Sequence, residues 1–257
     1  MFLHSASPAV QSIVTYRFGS TPDATRPDRV MRPPTTALLI LQQGTLFEHA
    51  GSEYKTPLPN ISLLGPSDQG RTWSTAPDTL FTLVNLAPGA SRRLFGVDPR
   101  DIAGFTDSLQ GHTLAEDLRE QLARGRRALH TYLCGIVRDR ATPSPEESRG
   151  MRVLLNALQK RRLGDSVKDY ADHFGITSRT LQRTVRAASG LTPKQILGVE
   201  RIRDLVVLTS GGWKRTLADL AQSAGYFDQS HMRQELLRHN FGRVGELVGG
   251  DHIINEA

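Results

Sequence analysis

The chain has 257 residues, of which 38% are hydrophobic and 23% charged, so it can form one large globular domain or two ordinary ones. Its net charge is +6, and an excess of positive charge suggests a polyanionic partner. The single cysteine, Cys134, excludes an internal disulfide and a zinc site of several cysteines, and apolar runs such as Thr36 to Leu41 are too short to span a bilayer. With no signal peptide evident, we expect a cytoplasmic protein without a membrane partner.

Residues 1 to about 110 are predicted to form mostly β-strands. The apolar runs are Ser12 to Phe18, Ala37 to Leu41, Ile61 to Leu64 and Leu80 to Asn85. They are separated by turn signals at Gly44, Pro57, Pro59-Asn60, Gly65-Pro66 and Pro88-Gly89. Short strands at this spacing predict a cupin-like sandwich or barrel. The segment Pro22 to Pro34, which is mostly polar and contains four prolines, is predicted to be a loop.

Helical spacing begins after about Asp98. The leucine stripe consists of Leu114, Leu118, Leu122, Leu129 and Leu133, followed by Ile136. We interpret it as one or two connector helices that supply a dimer contact. The stretch Asp139 to Gly150 is interpreted as a linker, and the rest of the chain as mainly helical. The predicted fold class is therefore α+β multidomain: a β-rich domain over 1–110, a helical connector over 111–148 and an all-α domain over 149–257.

The positive charge is concentrated in the last of these regions. Residues 1–150 contain 16 Lys and Arg against 15 Asp and Glu, whereas residues 151–257 contain 16 against 11. A basic domain joined to a neutral one favours a nucleic-acid partner for the basic part, although many basic surfaces bind nothing specific.

One pattern occurs twice in the basic region. In the first copy an apolar stripe predicts a short helix, formed by Val167, Tyr170, Ala171 and Phe174. Gly175 is predicted to stop that helix, and Ile176 to fill the space between it and the next helix as an apolar plug. Thr177 is predicted to cap a second helix, whose inner face carries Leu181, Val185 and Ala188. Gly190 ends it.

The second copy runs from Leu217 to Asn240. Its first stripe consists of Leu217, Leu220, Ala221 and Ala224. Gly225 repeats the stop, Tyr226 the plug and Asp228 the cap, while Met232 and Leu236 face inward. Between the copies, an apolar stripe predicts a joining helix that starts near Pro193, formed by Ile196, Val199, Ile202, Leu205 and Val206.

Each copy is interpreted as a helix-turn-helix unit whose second helix presents polar side chains to DNA. Arg can fork to guanine and Gln can pair with adenine, while cations at the edges hold phosphates. The candidate DNA-binding residues are Ser178, Arg179, Gln182, Arg183, Arg186, Gln229, Ser230, His231, Arg233 and Gln234. We expect His231 to pack or hydrogen-bond near the cap rather than to touch a base. The alternative for either copy alone is an ordinary solvated helix, which the repetition of stop, plug and cap disfavours.

At these residues the sequence resembles the AraC/XylS family of transcriptional regulators. The resemblance covers roughly Val167 to Leu247. The matching positions are Ala171, Gly175, Ser178, Leu181, Arg183, Gly190, Thr192-Pro193, Arg201, Leu217, Ala221 and the run Gly225 to His231, which is similar to the family's G-[YF]-x-D-Q-S-H-F stretch. It implies two helix-turn-helix units on a linker helix that read successive major grooves of double-stranded DNA, and it implies a homodimer. RNA polymerase and a small-molecule effector are left open as further partners.

The chain departs from the family at several positions. Met232 and Leu236 stand where the family has Phe, and the ending Phe241-Gly242-Arg243-Val244 is shifted by one residue and lacks the family's Pro. We expect the second unit to keep its fold, because Met and Leu fill much of the same space. In the N-terminal region, Leu86 to Val97 resembles a P-G-A-x-x-x-L-x-G-V stretch of such regulators, whose domain senses a small molecule, dimerises, or both.

Other chemistries are expected to be absent. No pair of His residues has ligand spacing, and no nucleophile elbow or phosphate loop occurs, so we predict no metal, no cofactor and no catalytic residue. The enzyme alternative is a DNA alkylation-repair transferase with the same DNA-binding module, which would need a reactive cysteine where Cys134 is expected to be buried. The interaction alternative is a regulator that has lost DNA binding and sequesters a partner. We expect Trp73 to pack in the β-domain core, and Trp213 to pack against the linker helix.

Overall fold

The computed structural model describes residues 9–18, 28–30, 35–50, 54–139, 166–210 and 216–242. The strands in these ranges are β1 (Val10–Arg17), β2 (Asp28–Val30), β3 (Ala37–Gln43), β4 (Leu46–Ala50), β5 (Tyr54–Pro57), β6 (Ile61–Leu64), β7 (Arg71–Thr75), β8 (Leu80–Leu86) and β9 (Thr106–Ser108). The helices are α1 (Ala90–Phe95), α2 (Ala115–Ala123), α3 (Arg126–Asp139), α4 (Val167–His173), α5 (Ser178–Ser189), α6 (Pro193–Ser210), α7 (Leu217–Ser223) and α8 (Gln229–Arg238).

The strands form two antiparallel sheets that pack as a sandwich. One sheet has the order β1-β8-β3-β6-β9 and the other has the order β2-β7-β4-β5. Successive residues of β3 face opposite sides, as the pleat requires. Leu39 and Leu41 join Trp73 and Phe81 between the sheets, so the expected core position of Trp73 is confirmed.

The outer face of the five-stranded sheet is also covered. Leu38 and Ile40 of β3 pack there in a cluster with α1, α2 and α3. Because this sheet is buried on both faces, its central strand is an uninterrupted apolar run rather than an alternating one. The four apolar runs that were predicted to be strands form β1, β3, β6 and β8, all of them in this sheet.

The connector contains two helices, α2 and α3, and its leucine stripe packs on the chain's own sheet. Leu118, Leu129 and Leu133 are fully buried in the cluster that holds Leu38 and Ile40. The leucines of the stripe are therefore covered from within the chain, whereas Ile136 is only partly buried. Dimerisation stays a prediction that rests on the family resemblance alone.

Parts of the N-terminal region differ from the predictions. The segment Pro22 to Pro34, predicted to be a loop, contains the short strand β2, while its remaining residues lie outside the described ones. Pro57, taken as a turn signal, is the last residue of β5. Strands β4, β5, β7 and β9 and helix α1 were not predicted, because their runs are short or largely polar. Asp139, predicted to begin the linker, is the last residue of α3. The rest of the predicted linker to Gly150, the boundary near 148 and Trp213 lie outside the described residues.

The C-terminal region is all helical and has two apolar clusters joined by α6. The first packs Ile196 of α6 against Tyr170, Leu181 and Val185. The second packs the rest of α6, from Val199 onward, against α7 and α8. The predicted fold class is confirmed: a β-rich domain, connector helices, and an all-α domain with two helix-turn-helix units on a linker helix. No helix among the described residues is long and apolar enough to cross a membrane.

Candidate nucleic-acid interface

The first helix-turn-helix unit is fixed at its turn by backbone geometry. Helix α4 begins with a capping box in which Ser166 and Asp169 exchange side-chain and backbone hydrogen bonds. After the helix, Gly175 adopts a φ of 61°, a left-handed conformation that favours glycine. The chain then folds back so that the amide of Ile176 donates to the carbonyl of Ala171 at 3.0 Å. This turn sets the angle at which the next helix leaves.

Helix α5 starts and stops where the sequence predicts. The Thr177 hydroxyl accepts a hydrogen bond from the amide of Thr180, and Gly190 ends the helix with a φ of 82°. Leu181 and Val185 are buried against α4 and α6. The opposite face is exposed and carries four of the candidate residues, namely Arg179, Gln182, Arg183 and Arg186. Ser178, at the first turn, is half-buried.

The second unit repeats this geometry. Thr216 and Asp219 form the capping box of α7, and Gly225 adopts a φ of 79°. The amide of Tyr226 donates to the carbonyl of Ala221 at 2.9 Å, as Ile176 does in the first unit. Asp228 caps α8, whose exposed face carries Gln229, Ser230, Arg233 and Gln234.

His231 lies at the cap of α8, as expected. Its amide donates to the carboxylate of Asp228 at 2.7 Å, and its Nδ1 accepts from the amide of Phe227 at 3.4 Å. Its ring packs edge-on against Tyr226. Its second ring nitrogen, Nε2, lies 3.9 Å from the Glu235 carboxylate. His231 is half-exposed and has contacts on both ring nitrogens.

The second unit keeps its fold despite its departures from the family. Met232 and Leu236 are fully buried against α6 and α7, and Phe241 closes the same cluster. Met and Leu therefore fill the positions at which the family has Phe, and the second unit keeps its fold as predicted. The last residues of the shifted ending, Arg243 and Val244, lie outside the described residues.

The exposed faces of α5 and α8 carry positive charge without exposed carboxylates of their own. Helix α5 contains three arginines and no acidic residue. The acidic residue of α8, Glu235, is only 3% exposed and faces the linker helix, where Arg201 pairs with it at 2.8 Å. Both faces therefore present long cationic and amide side chains, which suit phosphates and base edges.

The N-terminal domain contacts both units, which the sequence does not predict. The amide of Gly89 donates to the carbonyl of Ala188 at the end of α5, at 3.2 Å. In the loop between β6 and β7, the carbonyl of Asp68 accepts from Nδ1 of His239 at 2.5 Å, because a carbonyl oxygen can only accept. The carbonyl of His239 in turn accepts from the amide of Gly70 at 2.7 Å.

Two further observations concern the alternatives considered from the sequence, a metal site and a reactive cysteine. Among the described residues, no three His, Cys, Asp or Glu side chains group in a way that could hold a metal ion. Cys134 is 7% exposed and packs in the cluster of the connector helices, with the ring of His130 at 3.7 Å. The expected burial of Cys134 is confirmed.

Comparisons with known proteins agree with this geometry. A family model described as a helix-turn-helix domain matches residues 170–242. No curated protein sequence matches the chain. The structure is similar to that of ToxT from Vibrio cholerae, at 10% identity over 91% of this chain and 97% of that one, with a TM-score of 0.47. It is also similar to the AraC-like transcriptional activator CuxR, at 14% identity over 83% and 79%, with a TM-score of 0.27.

Since neither TM-score reaches 0.5, the assignment rests on the helix-turn-helix domain and not on these structures. That domain begins at Tyr170, inside α4, and ends at Gly242, after α8, so it contains both units and the linker helix. Residues 170–242 of this chain are therefore an AraC-type helix-turn-helix domain, as the resemblance of this region to the AraC/XylS family predicts.

Proposed function

We propose that this chain binds double-stranded DNA sequence-specifically, with α5 and α8 as its two recognition helices, and that it activates or represses transcription in this way. In the first unit, Arg179 and Arg183 fork to guanine, Gln182 pairs with adenine, and Arg186 holds a phosphate. In the second unit, Gln229, Ser230, Arg233 and Gln234 have the corresponding roles. Ser178 and His231 flank the helix starts and orient the first turn of each helix.

The observation that carries the proposal is the contrast between α5 and other exposed helices of the same chain. Helix α4 pairs Lys168 with Asp172 at 2.8 Å, and Glu120 of α2 pairs with Arg124, the residue that follows that helix, both across one turn. Such i,i+4 pairs are usual for solvated helices, which carry both signs of charge. Helix α5 contains no carboxylate at all, so every charged side chain that it carries is positive. An exterior of this kind is suited to an anionic partner.

We further propose that the N-terminal domain controls DNA binding. It contacts the end of α5 through Gly89 and the end of α8 through Asp68 and Gly70. A small-molecule effector that shifts this domain would therefore act on the placement of both recognition helices at once. The chemistry of the effector, a contact with RNA polymerase and a homodimer are proposals that follow the family resemblance.

Selection from a randomised duplex library tests the proposal. The full chain is incubated with the library at several salt concentrations, and the bound sequences are read out. We expect one motif with two blocks separated by about one helical turn, roughly 10 base pairs. Gln182→Ala should relax the block read by α5, and Gln234→Ala the block read by α8. Weak, salt-sensitive binding without any motif would reject sequence-specific recognition.

A further inference from the structure

We infer that Arg100, in the N-terminal domain, belongs to the DNA-binding surface and binds a phosphate of the duplex beside the first recognition helix. This inference rests on the proposed function and extends it, because it assigns part of the DNA contact to a domain outside the helix-turn-helix units. The sequence around Arg100 contains no motif that predicts such a role.

An open surface depression joins Arg100 to the exposed face of α5. It has a volume of about 760 Å³, and its lining includes Arg100, Arg179, Gln182, Arg183, Arg186 and Thr192. Four guanidinium groups therefore converge on one concave surface, and no carboxylate is among the described residues that line it. Such a surface favours the negatively charged backbone of DNA.

Arg100 reaches this depression because the two domains are in close contact at the end of α5. The carbonyl oxygen of Pro99 lies so near Gly190 that a Cβ added there would come within 2.6 Å of it. The nearby hydrogen bond from Gly89 to Ala188 fixes the same part of the interface. These contacts hold the residue after Pro99 beside the helix that carries Arg183 and Arg186.

The guanidinium of Arg100 is held in one orientation. Its Nε donates to Oδ1 of Asp98 at 3.0 Å and its Nη2 donates to Oδ2 at 2.7 Å, while the Arg100 amide also donates to Oδ1. These bonds use two of the five N–H groups of the side chain, which is 53% exposed. The remaining N–H groups are free to donate to a phosphate, and the fixed orientation lowers the entropy lost on binding.

Asp98 is not paired with Arg100 alone. Its carboxylate is shared with Arg92, which donates to the same Oδ2 atom. Hydrogen bonds from Arg100, with those from Arg92, hold the pKa of Asp98 well below its usual range, so one negative charge faces two positive ones. Asp101 also acts on Arg100 through its charge, so the positive charge of the depression comes from its four arginines together.

A phosphate is favoured over a base as the target of Arg100. Base edges are read by the side chains of the recognition helix inside the groove, whereas residues at its flanks contact the backbone. Arg100 stands on a neighbouring domain near the end of α5, which places it at such a flank. We therefore expect it to add affinity without adding sequence preference.

The test compares Arg100→Ala with Arg124→Ala in the full chain. Arg124 is a matched control, because it too is exposed and paired with a carboxylate, but it lies directly after the end of α2 and lines no part of the depression. Affinity for the selected duplex is measured over a series of salt concentrations. Arg100→Ala should weaken binding several-fold and equally on all sequences, and should lower the slope of log K against log salt by about one. Arg124→Ala should leave affinity and slope unchanged.

A scan with single methylphosphonates along the selected duplex identifies the phosphate itself. Binding by the unsubstituted chain should weaken when a methylphosphonate replaces certain phosphates of the duplex. Arg100→Ala should no longer respond to one of these replacements, at a phosphate that flanks the block read by α5. Arg100→Lys keeps the charge and should retain most of the salt slope. This variant distinguishes the loss of a phosphate contact from a weakened contact between the two domains. The inference is overturned if Arg100→Ala matches Arg124→Ala in slope and keeps every sensitive phosphate. A chain that selects no motif would instead refute the proposed function.

Discussion

Arg201 of the linker helix and Glu235 of the second recognition helix form a two-pronged ion pair. Nη2 of Arg201 donates to Oε2 of Glu235 at 2.8 Å, and Nε donates to the same oxygen at 3.2 Å, while Nη2 also lies 3.1 Å from Oε1. The Glu235 side chain is 4% exposed and that of Arg201 is 24% exposed. The pair ties the inner side of α8 to α6, so that the outer side carries Gln229, Arg233 and Gln234.

Arg201→Ala is expected to destabilise the second unit. It leaves a buried carboxylate without its main partner, and breaking a pair of this kind costs roughly 2–4 kcal/mol. Urea unfolding of the full chain would measure the loss, and amide hydrogen exchange would place it in α8. Arg238→Ala is the control, because Arg238 contacts the same carboxylate at 3.5 Å but is 58% exposed. Equal losses in the two variants would show that burial does not decide the strength of this pair.

Gly190→Ala should disturb the contact between the two domains, whereas Gly175→Ala should not. Both Gly190 and Gly175 have positive φ, so alanine at either position costs about 1–2 kcal/mol in the left-handed conformation. An added Cβ at Gly175 meets nothing within 4 Å, whereas at Gly190 it meets the carbonyl of Pro99. We therefore expect Gly190→Ala to lose stability beyond Gly175→Ala and to increase hydrogen exchange near Gly89. The prediction fails if the two variants unfold at the same urea concentration.

Asp228→Ala is expected to weaken the start of α8. It removes the carboxylate that accepts from the amide of His231, and the loss of an N-cap costs about 1 kcal/mol. Affinity for the selected duplex should fall along with stability, because the first turn of α8 carries Gln229 and Ser230. Asp228→Asn keeps the acceptor and should retain most of both. If Asp228→Asn loses as much as Asp228→Ala, the charge of the cap matters more than its hydrogen bond.

Arg183→Ala should change which sequences are bound as well as how tightly. If Arg183 forks to a guanine, its loss costs about 1–3 kcal/mol on the selected duplex and relaxes the preference at one base pair. Arg186→Ala, which removes a phosphate contact from the same helix, should weaken binding without altering the motif. Competition between the selected duplex and single-base variants separates the two effects. An unchanged affinity and motif in Arg183→Ala would remove this residue from the base-reading set.

The helix-turn-helix units could be predicted from the sequence because their determinants are local. The stop at Gly175, the plug at Ile176 and the cap at Thr177 are adjacent, and the apolar stripe of each helix repeats within a few residues. The same holds for Gly225, Tyr226 and Asp228. Each feature follows from backbone geometry or helix periodicity, so no knowledge of distant contacts is needed.

Elements that depend on distant contacts could not be predicted in this way. Strand β7 contains Arg71, Thr72 and Ser74 around one buried Trp, and its pairing with β4 and β2 gives it its strand character. The contact between Asp68 and His239 joins residues 171 positions apart. Arg100 comes next to α5 only through the docking of the two domains. Local pattern carries no information about such pairings.

The two domains of this protein cannot be exchanged independently of each other. Gly89, Asp68 and Gly70 of the N-terminal domain contact the ends of α5 and α8. Grafting residues 166–242 onto a foreign sensing domain would preserve each helix-turn-helix unit, since each has its own apolar cluster. The graft would lack the loop between β6 and β7 that meets His239 and the segment that meets Ala188. A chimera of this kind would keep the side chains that read the bases. The spacing between the two blocks of the DNA motif that it binds would, however, be determined by the foreign domain.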